Sequence, residues 1–252
     1  MATPGRKNAT TATESPAGVA PPPLPWQVAV VEAIRVESVR MKSVRLRLAR
    51  PTPYLPGQHF VVRVRAPDGY TAQRSYSAAS APDGDAVLEI AVERLPDGEV
   101  STFLHDELRC GDRLELRGPI GGHFAWDGGL PALCVGGGSG LVPFVAMLRL
   151  ARARLVEDRI RVVASVRTPE DLPFAPELAG GAVRVLFTRR APPLERRLPG
   201  RLRAADLEDL VAAVRVAYVA GSAAFADVAT GLLIDLGMAA HDVRVERFGP
   251  TG

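Results

Sequence analysis

From Trp26 to about Trp126 the chain consists of short segments in which apolar and polar residues alternate. Residues 44–48 are typical: one valine and two leucines alternate with two arginines, as expected of a half-buried strand with one basic face. Turns such as Pro56-Gly57 and Asp68-Gly69 separate these segments. Six short strands at this spacing predict a small antiparallel six-stranded β-barrel.

One segment, residues 96–105, interrupts the strand pattern. Its apolar residues Val100, Phe103 and Leu104 predict a short amphipathic helix with Ser101 near its start. Free backbone N–H groups and the helix dipole favour an anion there, so a diphosphate is one candidate ligand. The alternative is an ordinary capped helix that plugs one end of the barrel.

The pattern changes after Gly128-Gly129. A continuous apolar run, residues 131–135, leads into the glycines of residues 136–140, and apolar residues at helical spacing follow. This order predicts a strand, a glycine loop and a helix. Further strands are predicted at 160–166, 183–187, 214–220 and 243–245, with helical segments near 171–179, 204–213 and 222–236 between them. The second half is therefore predicted to be a doubly wound α/β domain with a parallel sheet.

We accordingly predict a disordered N-terminal tail over residues 1–25, a barrel domain over 26–127 and an α/β domain over 128–252. The tail is rich in Thr, Ala, Pro and Ser and shows no hydrophobic periodicity.

Composition excludes several classes of protein. With 31 Lys and Arg against 28 Asp and Glu, the formal charge is +3, too weak to indicate nucleic-acid binding. Cys110 and Cys134 cannot supply the four thiolates of an iron–sulfur cluster, and no metal-ligand spacing is present. No stretch approaches about twenty apolar residues and no apolar signal core is found, so we expect a cytoplasmic protein without a membrane partner.

Candidate chemistry begins with the strand at residues 72–80. Side chains alternate along a strand, so Arg74 and Tyr76 share one face and Ser75 and Ser77 the other. An arginine and a phenol at this spacing suit a ligand with a phosphate and a flat ring, and Ser77 can donate a hydrogen bond where the strand ends. The alternative is a strand edge with an exposed arginine and tyrosine.

The glycine loop is the second candidate. Gly138-x-Gly140-x-x-Pro143 is similar to a dinucleotide-binding motif in which proline stands where the third glycine usually does. Glycines allow a pyrophosphate to approach the backbone, and Pro143 is well placed in a first helical turn. The alternative is a loop needed only for packing.

Together these parts resemble the ferredoxin–NADP reductase superfamily of flavoprotein electron transferases, from about Trp26 to the C-terminus. The resemblance assigns Arg74 to the flavin phosphate, Tyr76 to the isoalloxazine ring and Ser77 to the neighbourhood of flavin N5. It assigns Gly98-Glu99-Val100-Ser101 to the FAD pyrophosphate and the glycine loop to the nicotinamide dinucleotide. Ser75 and Val92 complete the cofactor-binding residues predicted in the barrel.

The resemblance also bears on the choice of nicotinamide cofactor. Ser165 and Arg167 match a pattern that binds the NADPH 2′-phosphate, and Arg189 follows the third strand of the second domain. No acidic residue stands directly at the end of the second strand, where an NAD-preferring site usually has one. NADPH is therefore expected, with NADH less favoured.

Two features near the C-terminus complete the prediction. Glu246-Arg247-Phe248 is similar to the family's terminal Glu-x-aromatic, which places Phe248 over the flavin and Glu246 in proton transfer. Where the family has Cys-Gly at the end of the fourth strand, this chain has Ala220-Gly221. That departure puts the rate or geometry of hydride transfer in doubt without abolishing cofactor binding.

The resemblance implies an FAD-dependent reductase that accepts hydride from NADPH, or NADH, and passes electrons to a separate ferredoxin, flavodoxin or oxygenase component. One alternative is a reductase of free flavin or ferric chelates. The other is a flavin-binding electron-relay or regulatory subunit with slow hydride transfer.

Overall fold

The computed structural model describes residues 24–66 and 68–249, so nearly all of the predicted tail, residues 1–25, lies outside the described residues. Six strands in the first half form one antiparallel sheet in the order β4-β3-β6-β1-β2-β5. They are β1 (Gln27–Val36), β2 (Met41–Leu48), β3 (His59–Arg65), β4 (Thr71–Ser77), β5 (Val87–Glu93) and β6 (Arg113–Ile120). In β2 the residues from Val44 to Leu48 alternate between buried and exposed, as the sequence pattern predicts.

The sheet curls into a barrel because its two end strands, β4 and β5, approach each other beyond the end of β4. A bridge between Ala78 and Ile90 joins them there. Phe60, Leu46 and Leu116 are fully buried inside, in one apolar core. A short helix, α1 (Glu99–Asp106), follows β5 and contacts both end strands, so it covers the opening between them.

The second half contains a five-stranded sheet in the order β11-β10-β7-β8-β9, and all its neighbouring strands are parallel. Its strands are β7 (Ala132–Gly137), β8 (Ile160–Val166), β9 (Val183–Phe187), β10 (Val216–Ser222) and β11 (Val243–Phe248). The helices are α2 (Val142–Ala153), α3 (Glu208–Val211) and α4 (Ala223–Asp235).

Helices cover both faces of this sheet. Cys134 and its same-face neighbours pack with α2, whereas Val135 and its neighbours pack with α4. Successive residues of β7 are therefore buried on opposite faces, which explains why the strand is a continuous apolar run. The doubly wound α/β architecture predicted from the sequence is confirmed. No helix within the described ranges is long and apolar enough to cross a membrane.

Two predicted helices are wrong in extent. Residues 171–179 form turns, because Pro173 and Pro176 cannot donate the backbone hydrogen bonds of a helix and Phe174 has φ of 51°. Residues 204–213 contain only a 3-10 turn and the four-residue α3. The predicted strand at 214–220 is shifted, since β10 is Val216–Ser222.

The barrel and the α/β domain share an apolar core. Phe124, just after the barrel, has its ring centroid 5.2 Å from that of Tyr218 in β10, and the two rings lie edge to face. The Tyr218 hydroxyl donates to the Ala125 carbonyl at 3.0 Å. Trp126 is buried in the same cluster. The chain passes from one sheet to the other in this region. The domain boundary between residues 127 and 128 stays a prediction.

Arg149 on α2 ties the two domains together. Its guanidinium donates to the Ala79 carbonyl at 3.0 Å and lies 3.3 Å from the Glu89 carboxylate, both in the barrel domain. It also donates to Glu177 of the α/β domain at 2.6 Å. Charge-assisted hydrogen bonds to both sides favour one relative placement of the domains.

Candidate functional site

Arg74 and Tyr76 lie on the interior face of the barrel sheet, at its open edge. They pair across β4 and β3 with Val62 and Phe60, whose side chains are fully buried in the barrel core. Directly opposed residues of an antiparallel pair project to the same face. We call the surface formed by Arg74, Tyr76 and the start of α1, which contacts β4, the β4 cleft.

The two side chains of the β4 cleft have different environments. The Tyr76 ring packs on the barrel core, and burial raises the pKa of its phenol, so the hydroxyl stays neutral. Arg74 is exposed, and its Nη1 donates to the Gln73 carbonyl at 2.8 Å. An arginine has five N–H donors, so its fork retains donors for an anion. The pair offers a flat ring surface beside a positive charge.

Ser75 and Ser77 project to the opposite face, as the strand period predicts. Ser75 is exposed, whereas Ser77 is 4% exposed and pairs with His59 of β3. Ala79, two residues further, is part of the core shared by the two domains. Ser77 therefore lies on the side of the strand that leads toward the domain junction.

The start of α1 lies beside the start of β4, where the Tyr70 hydroxyl donates to Glu99 at 3.2 Å. No side chain caps this helix. The hydroxyl of Ser101 donates to the Gly98 carbonyl at 3.0 Å and accepts from the Leu95 N–H at 3.2 Å. A Cβ on Gly98 would lie 2.3 Å from that hydroxyl oxygen, so a larger residue here would have to displace the Ser101 hydroxyl from these hydrogen bonds. The first-turn N–H groups, which have no partner within a helix, remain available for an anion.

Two further predicted residues in this region are buried. Val100 is 1% exposed and Val92 is fully buried, both in the barrel core. The Val92 carbonyl lies 2.7 Å from Nε2 of His105, which ties β5 to α1. Both valines therefore belong to the core on which the Tyr76 ring packs.

The glycine loop forms a 3-10 turn between β7 and α2. Gly138 has φ of +58°, and nothing lies within 4 Å of a Cβ placed on it, so its backbone faces open space. Gly140 is the opposite case, since its Cβ would lie 2.2 Å from the Ala220 carbonyl oxygen. Pro143 is in the first turn of α2, where it needs no N–H partner. The turn also contacts β5 of the barrel.

The residues predicted to bind the phosphate lie at the carboxyl ends of the parallel strands, next to the glycine turn. Ser165 is beside Gly137 in the parallel register of β7 and β8. The Arg189 N–H donates to the Arg167 carbonyl at 2.9 Å, which places the segments after β8 and β9 side by side. Both arginines are exposed, and neither takes part in an ion pair among the described residues. We call the carboxyl ends of β7, β8 and β9, with the residues that follow β8 and β9 up to Arg190, the nucleotide edge.

The C-terminal candidates lie next to β10. Glu246 is beside Ala220 in the parallel register, and Phe248 is beside Ser222. Burial raises the pKa of Glu246 to about 7. Phe248 packs on the core cluster that contains the fully buried Ala220, and Gly221 follows with φ of +155°.

The sequence analysis did not predict a role for two charged groups in this region. Arg149 joins the domains, and Glu170 forms an ion pair with Arg190 near the nucleotide edge. Glu170 comes four residues after β8 ends at Val166, in a 3-10 turn, and no signal from the chain alone pairs it with Arg190.

Comparison with known proteins places the barrel domain in a family. Residues 28–126 match the family model described as the oxidoreductase FAD-binding domain. The FAD/NAD-binding domain of nitric oxide dioxygenase from Vibrio cholerae superposes with a TM-score of 0.78 at 25% identity, covering 89% of this chain and 99% of that one. In its FAD-binding domain and its two-domain fold the chain is similar to the ferredoxin–NADP reductase superfamily.

Two curated relatives of this ferredoxin–NADP reductase-like chain are reductase components. The ferredoxin–NAD(P)+ reductase component of the naphthalene 1,2-dioxygenase and salicylate 5-hydroxylase systems of Ralstonia sp. is 31% identical over 218 residues, 82% of this chain and 64% of the relative. The glycine betaine monooxygenase reductase subunit of Chromohalobacter salexigens is 38% identical over 128 residues, 50% of this chain and 34% of the relative. The chain thus spans between about a third and two thirds of the length of these relatives.

The residues of this chain fit the FAD that the family of its barrel domain implies. Three observations agree: the exposed Arg74 with donors to spare, the uncapped start of α1, and the Tyr76 ring on the same face as Arg74. For a second nucleotide, the open backbone at Gly138 leaves the space that a side chain would fill.

Proposed function

We propose that this chain is an NAD(P)H-dependent FAD oxidoreductase that delivers electrons to a separate acceptor. The observation that carries the proposal is the contact of the glycine turn of the α/β domain with β5, the strand that flanks the β4 cleft. Two cofactor sites on facing domains are what electron transfer between a nicotinamide and a flavin requires. Bound FAD supplies the conversion of a two-electron donor into single electrons.

In this proposal the residues of the β4 cleft bind and orient the flavin. Arg74 and the first turn of α1 neutralise the phosphates, and Tyr76 packs on the ring as a neutral phenol. Ser77 lies at the end of β4, toward the domain junction, where it can donate a hydrogen bond to the ring edge.

Residues from β10 and β11 close the site on the other side. Phe248 excludes water by its packing on the shared core. Glu246 holds a proton at its carboxyl near neutral pH, because burial raises its pKa to about 7. A carboxyl with its pKa near the working pH is suited to proton transfer.

We propose NADPH as the preferred donor, with NADH less favoured. Ser165, Arg167 and Arg189 support this, since a hydroxyl and two exposed guanidiniums lie together at the nucleotide edge. Arginine is the side chain best suited to bind a phosphate.

An oxygenase component or a ferredoxin is the proposed acceptor, which is supported by the names of the two relatives that serve such systems. The test is steady-state oxidation of NADPH by the FAD-loaded protein with ferredoxin, an oxygenase component, free flavin or a ferric chelate as acceptor. Faster turnover with a protein acceptor supports the proposal. Turnover with the small molecules alone would establish the free-flavin or ferric-chelate reductase, and no turnover with any acceptor would favour a relay subunit.

A further inference from the structure

The nucleotide edge carries three arginines in different electrostatic states. Backbone hydrogen bonds from Thr188 to Val166 and from Arg189 to Arg167, at 2.8 and 2.9 Å, continue the pairing of β8 and β9 beyond the strands. Arg190 donates its N–H to the Arg167 carbonyl at 3.2 Å. The backbones at Arg167, Arg189 and Arg190 are therefore adjacent at the carboxyl ends of two parallel strands, where open α/β sheets bind ligands.

Arg190 differs from the other two because it already has a counter-charge. Its guanidinium donates to the Glu170 carboxylate, and Arg190 holds the pKa of Glu170 down to about 2. Arg167 and Arg189 have no such partner among the described residues. The nucleotide edge thus carries the unpaired guanidiniums of Arg167 and Arg189 and a third, that of Arg190, whose charge Glu170 neutralises.

The ion pair is exposed, with 59% of the Arg190 side chain and 53% of the Glu170 side chain accessible to solvent. Exposed pairs contribute little to stability, so an anion of higher charge can compete for the arginine. The Glu170 carboxylate, held by Arg190, also repels a phosphate dianion that approaches Arg190, and it has no such effect on a ribose hydroxyl.

We propose that Glu170 is a specificity-determining residue that weakens the preference of this protein for 2′-phosphorylated dinucleotides by occupying Arg190. A 2′-phosphate can bind Arg190 only by displacing Glu170. NADH lacks that phosphate, so its affinity does not depend on the ion pair. The inference rests on the proposed binding of a nicotinamide dinucleotide at this edge.

The test is calorimetric binding of 2′,5′-ADP and of 5′-ADP to the FAD-loaded wild type and to Glu170→Gln at low salt. These fragments report on the adenosine end without electron transfer. Removing the charge should tighten 2′,5′-ADP binding by about 2- to 5-fold, leave 5′-ADP unchanged, and lose its effect as salt is raised.

Glu157→Gln is the matched control. Glu157 forms an exposed ion pair with Arg152 at 3.1 Å, but it precedes β8 and so lies at the amino end of that strand, away from the nucleotide edge. We expect its affinities for both fragments to equal those of the wild type. In the double variant Glu170→Gln with Arg190→Gln, the gain should disappear.

If both fragments bind and Glu170→Gln leaves the ratio of their affinities unchanged, the role of Glu170 is overturned while the dinucleotide site stands. A gain that persists in the double variant contradicts the role of Arg190. If neither fragment binds the wild type, the inference and the proposed function both fail.

Discussion

Replacing Glu246 by glutamine should stabilise the folded protein at alkaline pH and have little effect in acid. The carboxyl lies beside Ala220 in the register of β10 and β11, and burial raises its pKa from 4.5 to about 7. Glutamine has nearly the same shape but cannot ionise. The substitution therefore removes the cost of burying the carboxylate while keeping the packing.

The direction follows from which state holds the proton. Between pH 4.5 and about 7 the folded protein retains a proton that the unfolded chain has released, so the stability of the wild type falls as pH rises through this window. Above about pH 7 the folded protein has also released the proton, and the stability of the wild type falls no further on this account. The interval from 4.5 to about 7, at about 1.4 kcal/mol for each pH unit, corresponds to about 3 kcal/mol.

Urea unfolding of the flavin-free wild type and Glu246→Gln, followed by tryptophan fluorescence, measures this difference. Trp126 lies in the core shared by the domains and reports on it. The variant should be more stable by about 3 kcal/mol at about pH 8 and by less than about 1 kcal/mol at about pH 5. Glu170→Gln is the control, because that carboxyl is exposed and its pKa is lowered to about 2, so the substitution should give no gain in stability at either pH value. An equal gain for Glu246→Gln at both pH values would refute the reasoning.

Two further predictions concern the proposed cofactor sites. Arg74→Ala should weaken FAD binding by about 10- to 100-fold in a flavin fluorescence titration, because a hydrogen bond to a charged group contributes about 1.5 to 3 kcal/mol, and an unchanged affinity would exclude Arg74 from the site. Ala220→Cys should accelerate flavin reduction in a single-turnover experiment with NADPH. An unchanged rate would show that alanine at this fully buried position does not limit the reaction.

Local sequence periodicity was enough to predict much of the fold. The strands at 160–166 and 183–187 match β8 and β9 to the residue, because the strands of a covered parallel sheet are short and mostly apolar. Arg74 and Tyr76 share a face for the same reason, since the two-residue period of a strand needs no tertiary information.

Features that depend on distant contacts were not predictable. Phe174 adopts φ of 51° and is 1% exposed, so tertiary packing rather than local propensity sets its backbone. The contact of Arg149 with Ala79 spans 70 residues, and that of Arg190 with Glu170 spans 20. No period or motif connects residues at such separations, so the domain junction and the charge balance of the nucleotide edge appear only in the folded chain.

Anaerobic reduction of the FAD-loaded protein, with NADPH and NADH compared side by side, tests the proposed function most directly. The flavin absorbance is followed after mixing, with free FAD at the same concentration as the reference. We expect rapid bleaching of the yellow protein by NADPH, slower bleaching by NADH, and almost none of free FAD over the same time. A protein that binds FAD but bleaches no faster than free FAD with either nucleotide would contradict the claim that this chain is a reductase.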